Sequence, residues 1–106
     1  MTNQEIDRRL ALAIGYTADR VRLHPLSDKV YVLNDLERWD GPMQYSRGQR
    51  FDHTDPAVIW PIAERFDAFP ICTVMCEWLA HGSRHDHPAT ASALAVIQYV
   101  EGKAHE

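Results

Sequence analysis

Residues 71–80, with the sequence ICTVMCEWLA, carry the clearest strand pattern in this chain of 106 residues. One set of alternate positions is apolar, comprising Cys72, Val74, Cys76, Trp78 and Ala80, and the other set is mixed. Successive side chains of a β-strand point to opposite faces of a sheet, so this period of two predicts a strand. We therefore expect one strand over 71–80, with Trp78 packed on the inner face of the sheet.

Helical patterns lie on both sides of this strand. Upstream, Asp55 followed by Pro56 is a typical helix start, and apolar residues then recur at helical spacing, which predicts a helix over 56–67. Pro61 lies inside it and predicts a kink or a late start of the helix, because proline removes an amide donor. Downstream, the alanine-rich stretch 89–101 predicts a helix that closes at Gly102.

The first third of the chain predicts a helix and a hairpin. Thr2 and Glu5 have capping-box spacing, and apolar residues at helical spacing follow, so we expect an amphipathic helix over 3–14. Two short β-branched runs, 21–23 and 30–33, are separated by turn residues and predict a hairpin. Residues 34–54 have few consecutive apolar residues and are interpreted as mostly loop.

These elements define the expected fold class. Their order is helix, strand, strand, helix, strand, helix, in a chain of one domain's length, so we predict a single domain over 1–106. The simplest arrangement is an α+β fold: an antiparallel sheet of three or so strands covered by helices, as an α/β/α sandwich.

Composition and charge exclude several classes of protein. Hydrophobic residues at 45% and charged residues at 25% are ordinary for a globular domain. The net charge of −4 arises in 54–106, where acids outnumber bases, so we expect no direct nucleic-acid binding.

No long apolar run or signal-peptide pattern is present, which predicts a cytoplasmic protein without a membrane segment. Cys72 and Cys76 are expected to be reduced, partly buried thiols that do not bridge.

Several segments together are similar to a known family. They are Glu5-Ile6-Asp7-Arg8 through Gly15-Tyr16, then Tyr45-Ser46, then Asp55 into the second helix, and Thr90 to Val100. In these segments the chain resembles the phage ABA sandwich domain family, small proteins of tailed phages and prophages. The resemblance implies a sandwich fold and a phage origin, and it implies no reaction.

Residues 81–87 form the densest group of metal-type ligands, namely His81, His85, Asp86 and His87. A stable metal site needs ligands that converge from different directions, whereas a short turn points neighbouring side chains apart. We therefore expect no bound metal and no cofactor, and interpret this segment as a polar turn before the last helix. A small metal-dependent enzyme built on this histidine turn is kept as the alternative.

Residues 38–53 are the predicted binding stretch. The candidate residues there are Arg38, Trp39, Tyr45, Arg47 and Arg50. Aromatic rings mixed with guanidinium groups suit a protein hot spot or stacking on a nucleotide. Trp60 and Trp78 are interpreted instead as core residues, because each lies on an apolar face.

No catalytic motif stands out, so we expect no enzymatic activity. The predicted function is that of a phage or prophage accessory protein that binds a host protein or a small nucleotide ligand, most specifically to inhibit a host defence system. A structural or assembly module of the virion is a further alternative. Homo-oligomer formation stays open.

Overall fold

The computed structural model describes residues 2–33 and 49–104. These residues form three α-helices and two three-stranded antiparallel sheets, so the predicted α+β class is confirmed. The chain divides into two compact units, residues 1–52 and 53–106, called unit 1 and unit 2 below. The single-domain assignment stays a prediction.

Unit 1 begins with helix α1, Asn3–Ala13. The Thr2 hydroxyl accepts a hydrogen bond of 3.2 Å from the Glu5 amide, as the capping-box spacing predicts. After a short 3-10 helix, Ala18–Arg20, follow strands β1 (Val21–Leu23), β2 (Val30–Val32) and β3 (Gln49–Arg50). The strand order is β1-β2-β3, and the predicted hairpin is confirmed by the antiparallel pairing of β1 with β2.

Helix α1 packs against β1 and β2, and this contact organises the apolar side chains of unit 1. Leu10 is completely buried on the helix, and Val30 is completely buried on the central strand. Tyr16 meets Phe51 edge to face, with 6.3 Å between the ring centroids. The other buried apolar residues of this unit are Ile6, Ala11, Val21, Val32 and Leu33.

Unit 2 contains helix α2 (Pro56–Phe66), strands β4 (Ile71–Cys72), β5 (Trp78–Ala80) and β6 (Ser83–His85), and helix α3 (Pro88–Ala104). The Asp55 carboxylate caps α2 by accepting from the Ala57 amide at 3.0 Å. The strand order is β4-β5-β6, with both pairings antiparallel. Helix α3 packs on α2 and on strands β5 and β6, which positions the residues between these elements.

The prediction of one strand over 71–80 is wrong, because the chain reverses direction at 73–77. The Thr73 amide donates to the Glu77 carbonyl at 2.7 Å, and the Thr73 hydroxyl accepts from the amides of Met75 and Glu77. Cys76 adopts a left-handed conformation with φ of 60°. Local hydrogen bonds from a threonine compete with a continuous ladder, and here they produce a turn between two short strands.

The helix ends also differ from the sequence-based boundaries. Helix α2 runs from Pro56 to Phe66 with Pro61 inside it, so proline does not interrupt the helix. Helix α3 continues through Gly102 to Ala104, because glycine weakens a helix without forbidding it.

Among the described residues, no helix combines the length and apolar character needed to cross a membrane.

Candidate functional site: an aromatic groove in unit 2

An open groove of about 510 Å³ lies on unit 2. It is lined by Trp60, Phe69, Pro70, Trp78 and Pro88, and we call it the tryptophan groove. None of these five side chains is titratable, so the groove offers flat apolar walls and no acid, base or nucleophile. Its chemistry is therefore that of a binding surface, with contact area and shape as its means of recognition.

Four separate segments bring these side chains together. Trp60 lies on α2, Trp78 begins β5, and Pro88 begins α3. Phe69 and Pro70 follow the end of α2, where Asp67 adopts a left-handed conformation and the Ala68 amide donates to the Ala63 carbonyl at 2.8 Å. This helix ending turns the chain back, and Phe69 stacks on Trp60 with ring centroids 6.2 Å apart.

Trp60 and Trp78 are partly buried rather than fully enclosed, so their interpretation as core residues is correct only in part. Trp78 stands at the first position of a strand only three residues long, next to the turn at 73–77. The sheet is too short there to cover an indole on all sides. The same turn leaves both Cys72 and Cys76 exposed as free thiols, so the predicted partial burial of these thiols is also wrong.

Further apolar side chains are exposed between the end of α2 and strand β5. We call them the apolar rim: Phe69, Ile71, Val74 and Met75. Val74 is fully exposed, and Ile71 and Met75 are more than 70% exposed. Strand β4, which carries Ile71, lies at an edge of its sheet. Several large exposed apolar side chains within seven residues are a feature of interaction sites.

Four of the five predicted binding residues, Arg38, Trp39, Tyr45 and Arg47, lie outside the described residues. The fifth, Arg50, lies on β3 with about half of its side chain exposed. Its Nη2 atom is 3.3 Å from Oδ2 of Asp52, and the Asp52 carboxylate lies within 4.8 Å of that of the buried Asp7. The guanidinium of Arg50 therefore forms an ion pair with Asp52.

Two other members of the stretch 38–53 are core residues. Phe51 is 5% exposed, and the His53 side chain is completely buried. The His53 Nε2 atom and the Thr90 hydroxyl share a hydrogen bond of 3.0 Å. Neither ring is available to an external partner, and the assignment of the five predicted residues to a binding surface stays a prediction.

The histidine turn is partly a strand, since Ser83–His85 forms β6. His81 Nε2 donates to the carbonyl oxygen of Asp67, and the His87 amide donates to Nδ1 of His85 at 3.1 Å. Within the described residues, no three of the four candidates His81, His85, Asp86 and His87 place ligand atoms within 4.8 Å of one another. Their arrangement does not favour the metal-dependent alternative.

Comparisons with protein-family models, with curated proteins and with solved structures give no match for this chain. The functional argument accordingly rests on the geometry of the described residues and on the sequence resemblance.

The tryptophan groove was missed because its residues are distant in the sequence. One local signal was present: Phe69-Pro70 falls between two regular elements, where an aromatic residue has no strand or helix face to join. Phe69 and Pro70 lie beside Trp78 because the chain turns at 73–77. The alternating apolar pattern predicts a continuous strand there and gives no indication of this turn.

Proposed function

We propose that this protein acts by non-catalytic binding, and that the tryptophan groove docks a proline-rich, basic segment of a partner protein. The observation that carries the proposal is the groove itself, with five aromatic or proline side chains, and the exposed apolar rim follows Phe69 in the sequence. Burying apolar surface of this composition against a partner lowers the free energy, because the surface is removed from water.

The shape of the walls favours a polyproline segment. Aromatic-lined grooves recognise polyproline II helices, which are already extended and lose little conformational entropy on binding. Trp60 and Phe69 stack at 28°, and Trp78 adds a second indole to the same groove. Proline rings pack against flat aromatic faces of this kind.

The charge of unit 2 favours a basic partner. Residues 53–106 contain seven acidic residues against Arg65, Arg84 and Lys103. Arginine or lysine residues flanking the prolines would meet this negative field, which increases the association rate and disfavours acidic competitors.

The biological role follows from the sequence resemblance. On that basis we assign the chain to phage or prophage accessory proteins, with a host protein as the partner and inhibition of a host defence system as the outcome. A cytoplasmic location belongs to the same proposal. The groove supports the binding part of this role, and the resemblance alone supports its phage origin.

The test uses a short fluorescein-labelled peptide of proline and arginine, followed by fluorescence anisotropy. The parent protein should bind it saturably, and Trp60→Leu should weaken binding at least ~tenfold, as expected for an aromatic hot spot. Val74→Ser tests the rim and should weaken binding by a smaller factor. Leu26→Ser is the matched control, because Leu26 is 91% exposed but lies in unit 1.

A peptide of glycine and arginine with the same charge separates groove recognition from simple attraction of charge. Equal binding of the two peptides, or unchanged binding by Trp60→Leu, would contradict the proposal. Circular dichroism and the thermal midpoint of each variant establish that the fold is retained.

A further inference from the structure

One acidic residue, Glu64, lies one helical turn after Trp60 on α2. Residues four apart share one side of a helix, with their Cβ atoms ~5–6 Å apart. Helical side chains also lean towards the N-terminus of their helix, so that of Glu64 leans towards the turn that carries Trp60. Because Trp60 lines the tryptophan groove, Glu64 is placed at the border of this groove.

The Glu64 side chain is exposed, whereas Trp60 is partly buried. The buried residues of α2 are Ile59, Ile62 and Ala63. They define the side of the helix that faces the interior of unit 2, and Glu64 lies on the opposite side. Among the residues that the structure describes, none makes a hydrogen bond or an ion pair with the Glu64 carboxylate. This carboxylate can therefore bind a cation of a partner without first losing an internal contact.

The other charged groups of α2 and its ends are placed elsewhere. Arg65 lies ~140° around the helix from Trp60, since 3.6 residues complete one turn. Its Cζ atom is 5.0 Å from the centroid of a neighbouring phenylalanine ring. The Asp55 carboxylate caps the start of the helix, and Asp67 lines a different cavity. Within this fully described helix, Glu64 is the one charged residue on the side of Trp60.

The two remaining basic residues of unit 2 are also distant from the groove. Arg84 pairs with Leu79, and Leu79 alternates with Trp78 along β5, so Arg84 lies on the other face of the sheet from Trp78. Lys103 lies near the end of α3, ~22 Å along the helix from the groove residue at its start. Together with Arg65 these are the three basic residues of residues 53–106, and none is placed to neutralise a carboxylate beside the groove.

Three other titratable residues lie near Trp78 in the chain. Glu77 directly precedes Trp78, and adjacent strand residues point to opposite faces, so Glu77 is directed away from the groove. Asp86 is exposed and follows the end of β6. His85, the cross-strand partner of Trp78, accepts at Nδ1 from the His87 amide, so its ring is neutral in this arrangement and adds no charge.

We propose that Glu64 is the specificity-determining residue of the tryptophan groove, and that it binds an arginine next to the prolines of the partner segment. The inference rests on the proposed function, and it adds one defined ion pair to the general attraction by the acidic unit. A guanidinium suits this position, because it donates two parallel N–H bonds to a carboxylate. Its flat face also stacks on aromatic rings such as that of Trp60.

Fluorescence anisotropy tests the pair with two labelled peptides of equal length. One contains proline and arginine, and the other contains proline and citrulline, whose side chain has the shape of arginine without its charge. Glu64→Gln should weaken the arginine peptide at least ~threefold, as expected for an exposed ion pair, and leave the citrulline peptide unchanged. Raising the salt concentration from about 0.05 M to about 0.5 M should remove most of this difference, because salt screens exposed charges.

Two variants that remove the same charge elsewhere in unit 2 are the matched controls. Glu77→Gln and Asp86→Asn should each weaken the arginine peptide less than ~twofold, because neither carboxylate lies beside Trp60. A general attraction by the acidic unit would instead give all three variants the same effect. Unchanged binding of the citrulline peptide by Glu64→Gln establishes that the groove of this variant is intact.

The proposal is overturned if Glu64→Gln binds the arginine peptide like the parent, or if either control weakens that peptide by as much. Equal weakening of both peptides by Glu64→Gln also overturns it, because the loss would then not depend on charge. The groove proposal survives these results when Trp60→Leu still weakens both peptides. If the parent binds neither peptide, or Trp60→Leu binds both like the parent, the proposed function and this inference fail together.

Discussion

The two sheets have the same antiparallel strand order, but their central strands bury different amounts of apolar surface. In unit 1, Val30 and Val32 on β2 are buried. In unit 2, β5 buries only Ala80, while Trp78 and Leu79 are half-buried. The turns of the first hairpin in each sheet also differ in apolar character. Residues 24–29 of unit 1 are mainly polar, whereas the turn at 73–77 in unit 2 exposes Val74 and Met75.

This difference follows from what supplies the core of each unit. Among the described residues of unit 1, one α-helix packs on the sheet, and the strands contribute much of the buried apolar surface. In unit 2 the helices α2 and α3 pack on each other, and α3 buries residues around most of its circumference: Ala91, Ala93, Ala95, Val96 and Ile97. Trp78 of the second sheet is therefore partly exposed, and it contributes one wall of the tryptophan groove.

The largest expected effect concerns the buried contact of unit 1. Leu10→Ala should lower the free energy of unfolding by about 2–5 kcal/mol, because it leaves a cavity where α1 packs on the sheet. Leu26→Ala removes the same atoms from an exposed turn and should change stability by less than about 0.5 kcal/mol. Urea denaturation of both variants measures the difference, and equal values would contradict the assigned packing of α1.

An intermediate effect is expected at Trp78. A fully packed tryptophan replaced by alanine typically costs about 3–5 kcal/mol, and the partial exposure of Trp78 should reduce the loss for Trp78→Ala to about 2–3 kcal/mol. The same denaturation experiment applies. A loss as large as that of a fully buried indole would show that Trp78 belongs to the core and would remove it from the tryptophan groove.

The smallest expected effect concerns the reactivity of the two thiols, which is measured on the parent protein without any substitution. Cys72 and Cys76 are exposed on the hairpin of unit 2, so both thiols should react with the disulfide reagent DTNB in the native protein. Reaction rates within ~tenfold of those in urea would agree with this exposure. Protection of either thiol until unfolding would indicate that the hairpin is covered, and the contrast between the two sheets would then be lost.

Much of the fold could be predicted from local patterns. The capping box at Thr2, the cap at Asp55 and the hairpin strands 21–23 and 30–33 are all present near their predicted bounds. These features depend on residues a few positions apart, where local hydrogen bonding and side-chain periodicity decide the conformation. The break at 73–77 was not predicted, because apolar alternation also arises when exposed apolar residues occupy a turn.

The candidate site was much less predictable. Sequence reasoning chose 38–53 for its mixture of arginine and aromatic residues, yet Phe51 and His53 are buried and Arg50 is engaged with Asp52. Composition indicates which side chains suit recognition. It does not indicate whether they are exposed, since exposure depends on the elements packed around them.

The sequence by itself determined the α+β class, the helix starts, the first hairpin and the acidic character of the second half, because each depends on near neighbours or on composition. Tertiary structure decided that Trp60, Phe69, Trp78 and Pro88 share one groove. Residues so far apart along the chain meet only when helix packing and strand pairing have placed their elements. The path of the chain through the turn at 73–77 is what exposes the apolar rim.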